Sequence, residues 1–194
     1  PLFIHTLHNS SGHIINGVSM LIFSISMFLL YTASTVYHTF DLGKRINCIL
    51  KKCDHMMIFI MIAGSYTPVC LIVLHNTAGY AMCAMVWAMA LIGIIVKGLW
   101  INCPKWFSSV IYIGMGWTCL FAFSQIIHNL PFFAFLLLLA GGILYTVGGV
   151  IYALKLKIFN EKHKYFGSHE IFHIFVMLGS ICHYIMMYAY VAPM

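Results

Sequence analysis

Two pairs of polar residues at helical spacing stand out in a chain that is otherwise strongly apolar. Ser34 and His38 are four residues apart, and so are His169 and His173. Residues at this spacing lie on the same face of an α-helix. Two imidazoles placed in this way can share one metal ion. A third imidazole from another helix would complete a three-histidine site with one open position, which is the arrangement of catalytic zinc. Residue type alone leaves iron, nickel and copper open.

Asp54 is the carboxylate that the sequence offers to such a site. It follows a basic segment and precedes a long apolar run that begins at Met56. A carboxylate beside a metal could accept a proton from the attacking water or orient that water. A simpler interpretation is that Asp54 caps the N-terminus of a helix. Ser34 has two interpretations as well: its hydroxyl could contact a substrate carbonyl, or it could bond to the backbone of its own helix.

The composition predicts a membrane protein. Of the 194 residues, 62% are hydrophobic and 7% are charged, and the mean hydropathy is +0.96. Soluble domains are about 45–50% apolar and about 25% charged. Ten basic and four acidic side chains cannot cover a soluble globule of this size, which excludes a water-soluble enzyme or a nucleic-acid-binding domain. The seven cysteines show no Cys-x-x-Cys pattern and indicate no disulfide framework.

Six apolar runs are long enough to cross a membrane as helices, since about 20 residues span the hydrocarbon core. The runs lack the alternating pattern of a barrel wall. The sequence therefore predicts an all-α integral membrane protein with a single transmembrane domain over residues 1–194. The six spans are expected at about 14–39, 56–74, 78–96, 106–127, 130–154 and 171–191.

The basic residues predict how these spans are oriented. All ten fall in alternate connections, namely Lys44, Arg45, Lys51 and Lys52, then Lys97 and Lys105, then Lys155, Lys157, Lys162 and Lys164. By the positive-inside rule these connections face the cytosol. The end of the first span and the starts of the second and sixth then share that face. His38, Asp54, His169 and His173 are therefore expected at one depth, near the cytosolic boundary.

Three motifs together resemble the hemolysin III family. They are Ser34-x-x-Tyr-His38, then Asp54-His55 followed by Ala63-Gly-Ser-Tyr-Thr-Pro68, and finally His169-Glu-Ile-Phe-His173 followed by Gly179-x-x-x-His183. Their order and spacing cover essentially the whole chain. That family is related to the progestin and adipoQ receptors and, more distantly, to the alkaline ceramidases.

The resemblance implies a fold and a ligand set. Family members have a seven-helix core, so this chain would hold the second to seventh helices and lack the first. The histidines that match the zinc ligands of the related receptors are His38, His169 and His173, and Ser34 and Asp54 match the remaining polar residues beside the metal. His183 lies too far along its span to ligate the same ion, and we expect it to be buried and hydrogen-bonded to a neighbouring helix.

These residues favour a zinc-dependent hydrolase that acts on an amide or ester of a membrane lipid. Asp54 would be the general base and Ser34 would hold the carbonyl or its oxyanion. The lipid class is implied only by the resemblance to ceramidases. Two alternatives stay open, a pore-forming haemolytic protein and a receptor-like sensor with structural zinc. A pore needs polar residues along its whole length, and a closed structural site needs a fourth protein ligand.

Overall fold

The computed structural model describes residues 14–100, 104–154 and 167–194, and all regular structure within these ranges is helical. The helices, in chain order, are α1 (Ile14–Thr39), α2 (Lys44–Pro68), α3 (Thr77–Leu99), α4 (Lys105–Gly116), α5 (Phe123–Asn129), α6 (Phe132–Leu154) and α7 (Ser168–Met186). Two π-helical segments, Val69–Leu74 and Met187–Val191, continue α2 and α7, and a 3-10 segment, Trp117–Ala122, joins α4 to α5. The predicted all-α class is confirmed.

Six helical stretches of the described chain are long and apolar enough to cross a membrane. Five of them begin and end within about three residues of the predicted bounds. The second differs, because its helix begins at Lys44 and not at Met56. The segment before Met56 is polar but contains no Gly or Pro, and its Lys, Arg, Leu and Ile residues favour a helix. Hydropathy marks only the apolar part of this helix.

The described residues form two compact units. The first contains α1, α2 and α3 together with Val191–Met194, and the second contains α4 to α7 up to Tyr190. The expectation of a single domain over residues 1–194 stays a prediction.

In the first unit, α2 packs against both α1 and α3. The contacts depend on glycine. A Cβ atom at Gly64 would overlap the side chain of Ser26 on α1, and one at Gly93 of α3 would overlap the ring of Phe59. Both glycines are fully buried. Small residues let membrane helices approach this closely.

The basic residues of the first unit gather at one of its ends. The Lys52 ammonium donates a hydrogen bond of 2.8 Å to the Gly98 carbonyl, which brings the first part of α2 to the last turn of α3. The short connection at 40–43 places the end of α1 there too. Which side of the membrane this end faces stays a prediction, and the basic residues between 155 and 164 lie outside the described residues.

In the second unit, α6 packs against α4 and α7. Gly148 and Gly141 of α6 are buried against Phe175 and His183 of α7. The buried His183 ring stacks on Tyr145 with 5.4 Å between ring centroids, and its Nδ1 has no hydrogen-bond partner within the part of the chain that the structure describes. The expected hydrogen bond to a neighbouring helix is therefore not made by that nitrogen, and the ring is held by aromatic packing.

We predict that Gly64→Ala lowers the free energy of unfolding by about 1–3 kcal/mol, the usual cost of overpacking a well-filled interior. The new methyl group would collide with Ser26, whose hydroxyl is held by the Ile22 carbonyl. Gly142→Ala is the matched control, because no described residue lies within 4 Å of a Cβ atom there and Ala favours the helix. Thermal unfolding in detergent measures both variants. Equal melting temperatures for the two would contradict the packing described for α1 and α2.

Candidate metal centre

Ser34 and His38 occupy the last two turns of α1 and face in the same direction. Ser34 is half-buried and His38 is exposed. The His38 ring lies 4.7 Å from the ring of Tyr37, between centroids. A histidine in the last turn of a helix also interacts favourably with the helix dipole. Both side chains therefore lie at the end of the first unit that carries the basic residues.

Asp54 lies inside α2, next to these residues. It is buried, with 8% of its surface exposed. The Ser34 hydroxyl donates a hydrogen bond to its carboxylate, and His38 is close enough to interact with it electrostatically. Because α2 begins at Lys44 and has Gly43 at its N-cap, the capping interpretation of Asp54 is wrong.

Ser34 differs from the other serines of α1. Ser19, Ser24 and Ser26 donate to the carbonyls four residues earlier, at 2.6, 2.8 and 2.7 Å respectively. This is the usual arrangement of serine in a membrane helix. Ser34 reaches across to α2 and bonds to the carboxylate of Asp54. Ser34 is thus a hydrogen-bond partner of Asp54, and its contact with a substrate carbonyl stays a prediction.

His55 lies beside Asp54 but is engaged elsewhere. Its Nδ1 donates to the Lys51 carbonyl at 2.7 Å. Since a carbonyl can only accept, Nδ1 carries the proton. The same nitrogen lies 3.8 Å from Oδ2 of Asp54, which is too long for a hydrogen bond. His55 therefore lies beside the carboxylate without a hydrogen bond from this nitrogen.

The second unit contributes a histidine pair at the start of α7. The Nε2 atoms of His169 and His173 are 3.2 Å apart, and the two rings meet edge to face with 4.5 Å between centroids. Zn–N bonds of about 2.0–2.1 Å at tetrahedral angles place two ligand nitrogens about 3.3 Å apart. The pair thus already has the spacing of two zinc ligands, which a hydrogen bond from one Nε2 to the other also provides.

Aromatic residues surround the pair. Tyr152 of α6 lies 5.9 Å from His169 and 4.9 Å from Phe172, between ring centroids. Phe172 lies 5.5 Å from the ring of His173. Sequence spacing gave no signal for Tyr152, because its position depends on the packing of α6 against α7.

Glu170 has a structural role between the two histidines. Its Oε2 accepts a hydrogen bond of 2.8 Å from the Gly167 backbone N–H. This is the bond by which an acidic residue at the third helical position caps a helix start. The exposed Glu170 side chain is therefore directed at the N-terminus of α7. This bond fixes the residue at which the helix begins, and with it the positions of both histidines.

The sequence motifs assign His38 as a third imidazole ligand beside this pair, and that assignment stays a prediction. A donor set of three neutral nitrogens without a thiolate suits zinc, and three protein ligands leave a position open. The residue types and the spacing of the His169 and His173 nitrogens both fit the metal that the sequence motifs imply.

Comparison with known proteins gives one family. The family described as haemolysin-III related matches residues 2–184. The chain is 35% identical over 192 residues to hemolysin-3 of Bacillus cereus, which covers 99% of this chain and 83% of that protein. It is 37% identical over 163 residues to the hemolysin-3 homolog of Bacillus subtilis (strain 168), with 84% and 72% covered. No solved structure matches the chain.

We predict that Ser34 and Asp54 are energetically coupled. In a double-mutant cycle of Ser34→Ala and Asp54→Asn, the coupling in unfolding free energy should be about 1 kcal/mol or more, the net contribution of one hydrogen bond. Ser24, which bonds only to the Met20 carbonyl in the described structure, supplies the control cycle with Asp54, and its coupling should be close to zero. Similar coupling in both cycles would show that Ser34 makes no specific bond to the carboxylate.

Proposed function

Because the chain belongs to the haemolysin-III-related family of integral membrane proteins, we propose that it is a zinc-dependent hydrolase of membrane lipids. In this proposal His38, His169 and His173 hold one zinc ion, and Asp54 and Ser34 act on the substrate. The observation that carries it is the 3.2 Å separation of the His169 and His173 nitrogens, which presents two ligands at zinc spacing on one helix.

A zinc ion held by these residues would supply Lewis acidity to the carbonyl of an amide or ester. The three histidines would act as neutral ligands. Tyr152 and Phe172 limit the rotation of the two rings on α7 through the ring contacts at 5.9 and 5.5 Å. Fixed rings keep a ligand set arranged before the ion arrives.

Asp54 is the general base of the proposal. Its carboxylate would accept the proton of the water that attacks the carbonyl carbon, and would return that proton to the departing amine or alcohol. The hydrogen bond from Ser34 holds the carboxylate in one orientation. When a substrate carbonyl is bound, the same hydroxyl could donate to the developing oxyanion.

The position of these residues favours a lipid over a soluble substrate. Ser34 and His38 are at the end of a span, where the headgroups of a bilayer begin. The spans also present large exposed apolar side chains along their length, such as Phe28, Leu91 and Phe121. A lipid could thus keep its chains in the bilayer while its polar part meets the site. We propose that this end faces the cytosol, following the basic residues.

We predict one zinc ion per chain, and its loss in His169→Ala/His173→Ala. Removing two of three ligands leaves too few donors for a stable site. His128→Ala is the control, since His128 is exposed at the end of α5 and outside the ligand set. Elemental analysis of the purified proteins measures the metal. Retention of one zinc per chain in the double variant would mean that these histidines are not ligands.

We also predict that Asp54→Asn lowers lipid hydrolysis by about 100-fold or more while zinc stays bound, because a general base contributes about 10²–10⁴-fold. A panel of fluorescent acyl-amide and acyl-ester lipids in detergent micelles measures turnover. A zinc chelator should stop the reaction, and added zinc should restore it. Turnover that survives Asp54→Asn or the chelator would contradict the proposal.

Membrane lysis is the second candidate, because the two relatives are named hemolysin-3 and hemolysin-3 homolog. Dye release from liposomes separates the two functions. If lysis follows from lipid hydrolysis, Asp54→Asn should abolish dye release together with turnover. Release that is unchanged in Asp54→Asn, without lipid turnover, would favour a pore.

A further inference from the structure

The first unit has an open pocket of about 490 Å³ between the end of α1 and the first turns of α2. Ligand pockets usually have about 300–1,000 Å³. We call it the basic pocket, and among the residues that line it are His38, Asp41, Lys44, Asn47 and Lys51. It therefore opens directly beside a proposed zinc ligand.

The wall of the basic pocket is held in place by Asn47. The side-chain amide of Asn47 donates to Oδ1 of Asp41 at 2.7 Å, and its Oδ1 accepts from the Leu42 backbone N–H at 3.1 Å. These bonds fix the short connection between α1 and α2. They also direct the Asp41 carboxylate toward Asn47, so that the single acidic residue of the lining is already bonded.

The charges of the basic pocket favour an anion. Among the residues that the structure describes, no carboxylate or carbonyl pairs with the ammonium groups of Lys44 and Lys51. Lys52, in contrast, donates to the Gly98 carbonyl. The first turn of α2 carries no acidic residue, and the one carboxylate at the helix start is that of Asp41, which accepts the Gly43 N–H at 3.4 Å. Lys44 and Lys51 thus bring two positive charges to the lining, against the one negative charge of Asp41.

We propose that the basic pocket binds a phosphate group, and that a phosphate-bearing lipid is the substrate class of the neighbouring site. The proposal rests on the proposed function through His38, which lines the pocket. Lys44 and Lys51 would hold the phosphate as two point charges. Phe40, a half-exposed apolar residue of the same lining, would lie against the first carbons of the lipid chains.

Binding of short-chain phosphatidic acid to the full chain in phosphate-free detergent tests the proposal. Diacylglycerol of the same chain length has no phosphate and should bind at least about tenfold more weakly. Inorganic phosphate is the third probe, because it shares the phosphate chemistry without the chains. Tighter binding of the lipid than of inorganic phosphate is expected. Equal binding of the two would assign the pocket to the free anion and overturn its role in substrate selection.

The variants Lys44→Gln and Lys51→Gln should each weaken phosphatidic acid binding about tenfold, the effect of losing one charge-assisted hydrogen bond. Arg45→Gln is the matched control, because Arg45 follows Lys44 in the first turn of α2 and this variant also loses one positive charge, but Arg45 does not line the pocket. It should change binding less than about twofold. An equal loss in all three variants would show general attraction to a basic surface and would overturn the proposal.

The same proteins separate this proposal from the hydrolase. Lys44 and Arg45 are exposed and Lys51 is half-buried, and Gln is a good helix former, so melting temperatures should not change. Binding is measured with and without a zinc chelator. If the lysine variants bind phosphatidic acid more weakly and no lipid turnover is found, the phosphate pocket is supported and the hydrolase is not. If turnover persists while binding is unchanged in the lysine variants, only the hydrolase stands.

Discussion

A buried carboxylate at the end of a membrane span is the constraint on which the first unit depends. Asp54 is 8% exposed, and an acidic group placed there is costly unless polar partners surround it. Ser34 supplies a hydrogen bond and His38 a nearby imidazole, both from α1. These contacts require α1 and α2 to lie close together, and Gly64 makes that possible by leaving room for Ser26. Helix packing and the polar site are thus two consequences of one close contact.

In the second unit, the start of α7 determines where the histidine pair lies. The bond from the Gly167 N–H to Glu170 fixes the start of α7, so that His169 and His173 fall in its first two turns. Helical geometry then places their nitrogens 3.2 Å apart. In the proposal, His38 of α1 is the third ligand of the zinc ion. In the further proposal, the basic pocket holds a phosphate group beside His38.

Much of this could be predicted from the sequence, because it depends on local spacing. Long apolar runs predicted the spanning helices, and the spacing of four residues predicted that the members of each polar pair share one helix face. The predicted start of the second helix was wrong, because the polar segment that begins at Lys44 has no apolar signal. The capping interpretation of Asp54 depended on that start and was wrong as well. Local patterns could not predict which glycines are packed. Gly141 and Gly148 lie against side chains of α7, whereas Gly114 and Gly142 have no described residue within 4 Å of a Cβ position. Tyr152 and Asn47 act through contacts that only the folded chain creates.

Zinc K-edge absorption spectroscopy of the purified protein tests whether imidazoles of α1 and α7 share one ion. If they do, the spectrum will show nitrogen scatterers at about 2.0–2.1 Å with the pattern of three imidazoles and no sulfur. In His38→Cys, one of these nitrogens should be replaced by a sulfur at about 2.3 Å. A wild-type spectrum with sulfur ligands, or a His38→Cys spectrum that still shows three imidazoles and no sulfur, would contradict a shared ion.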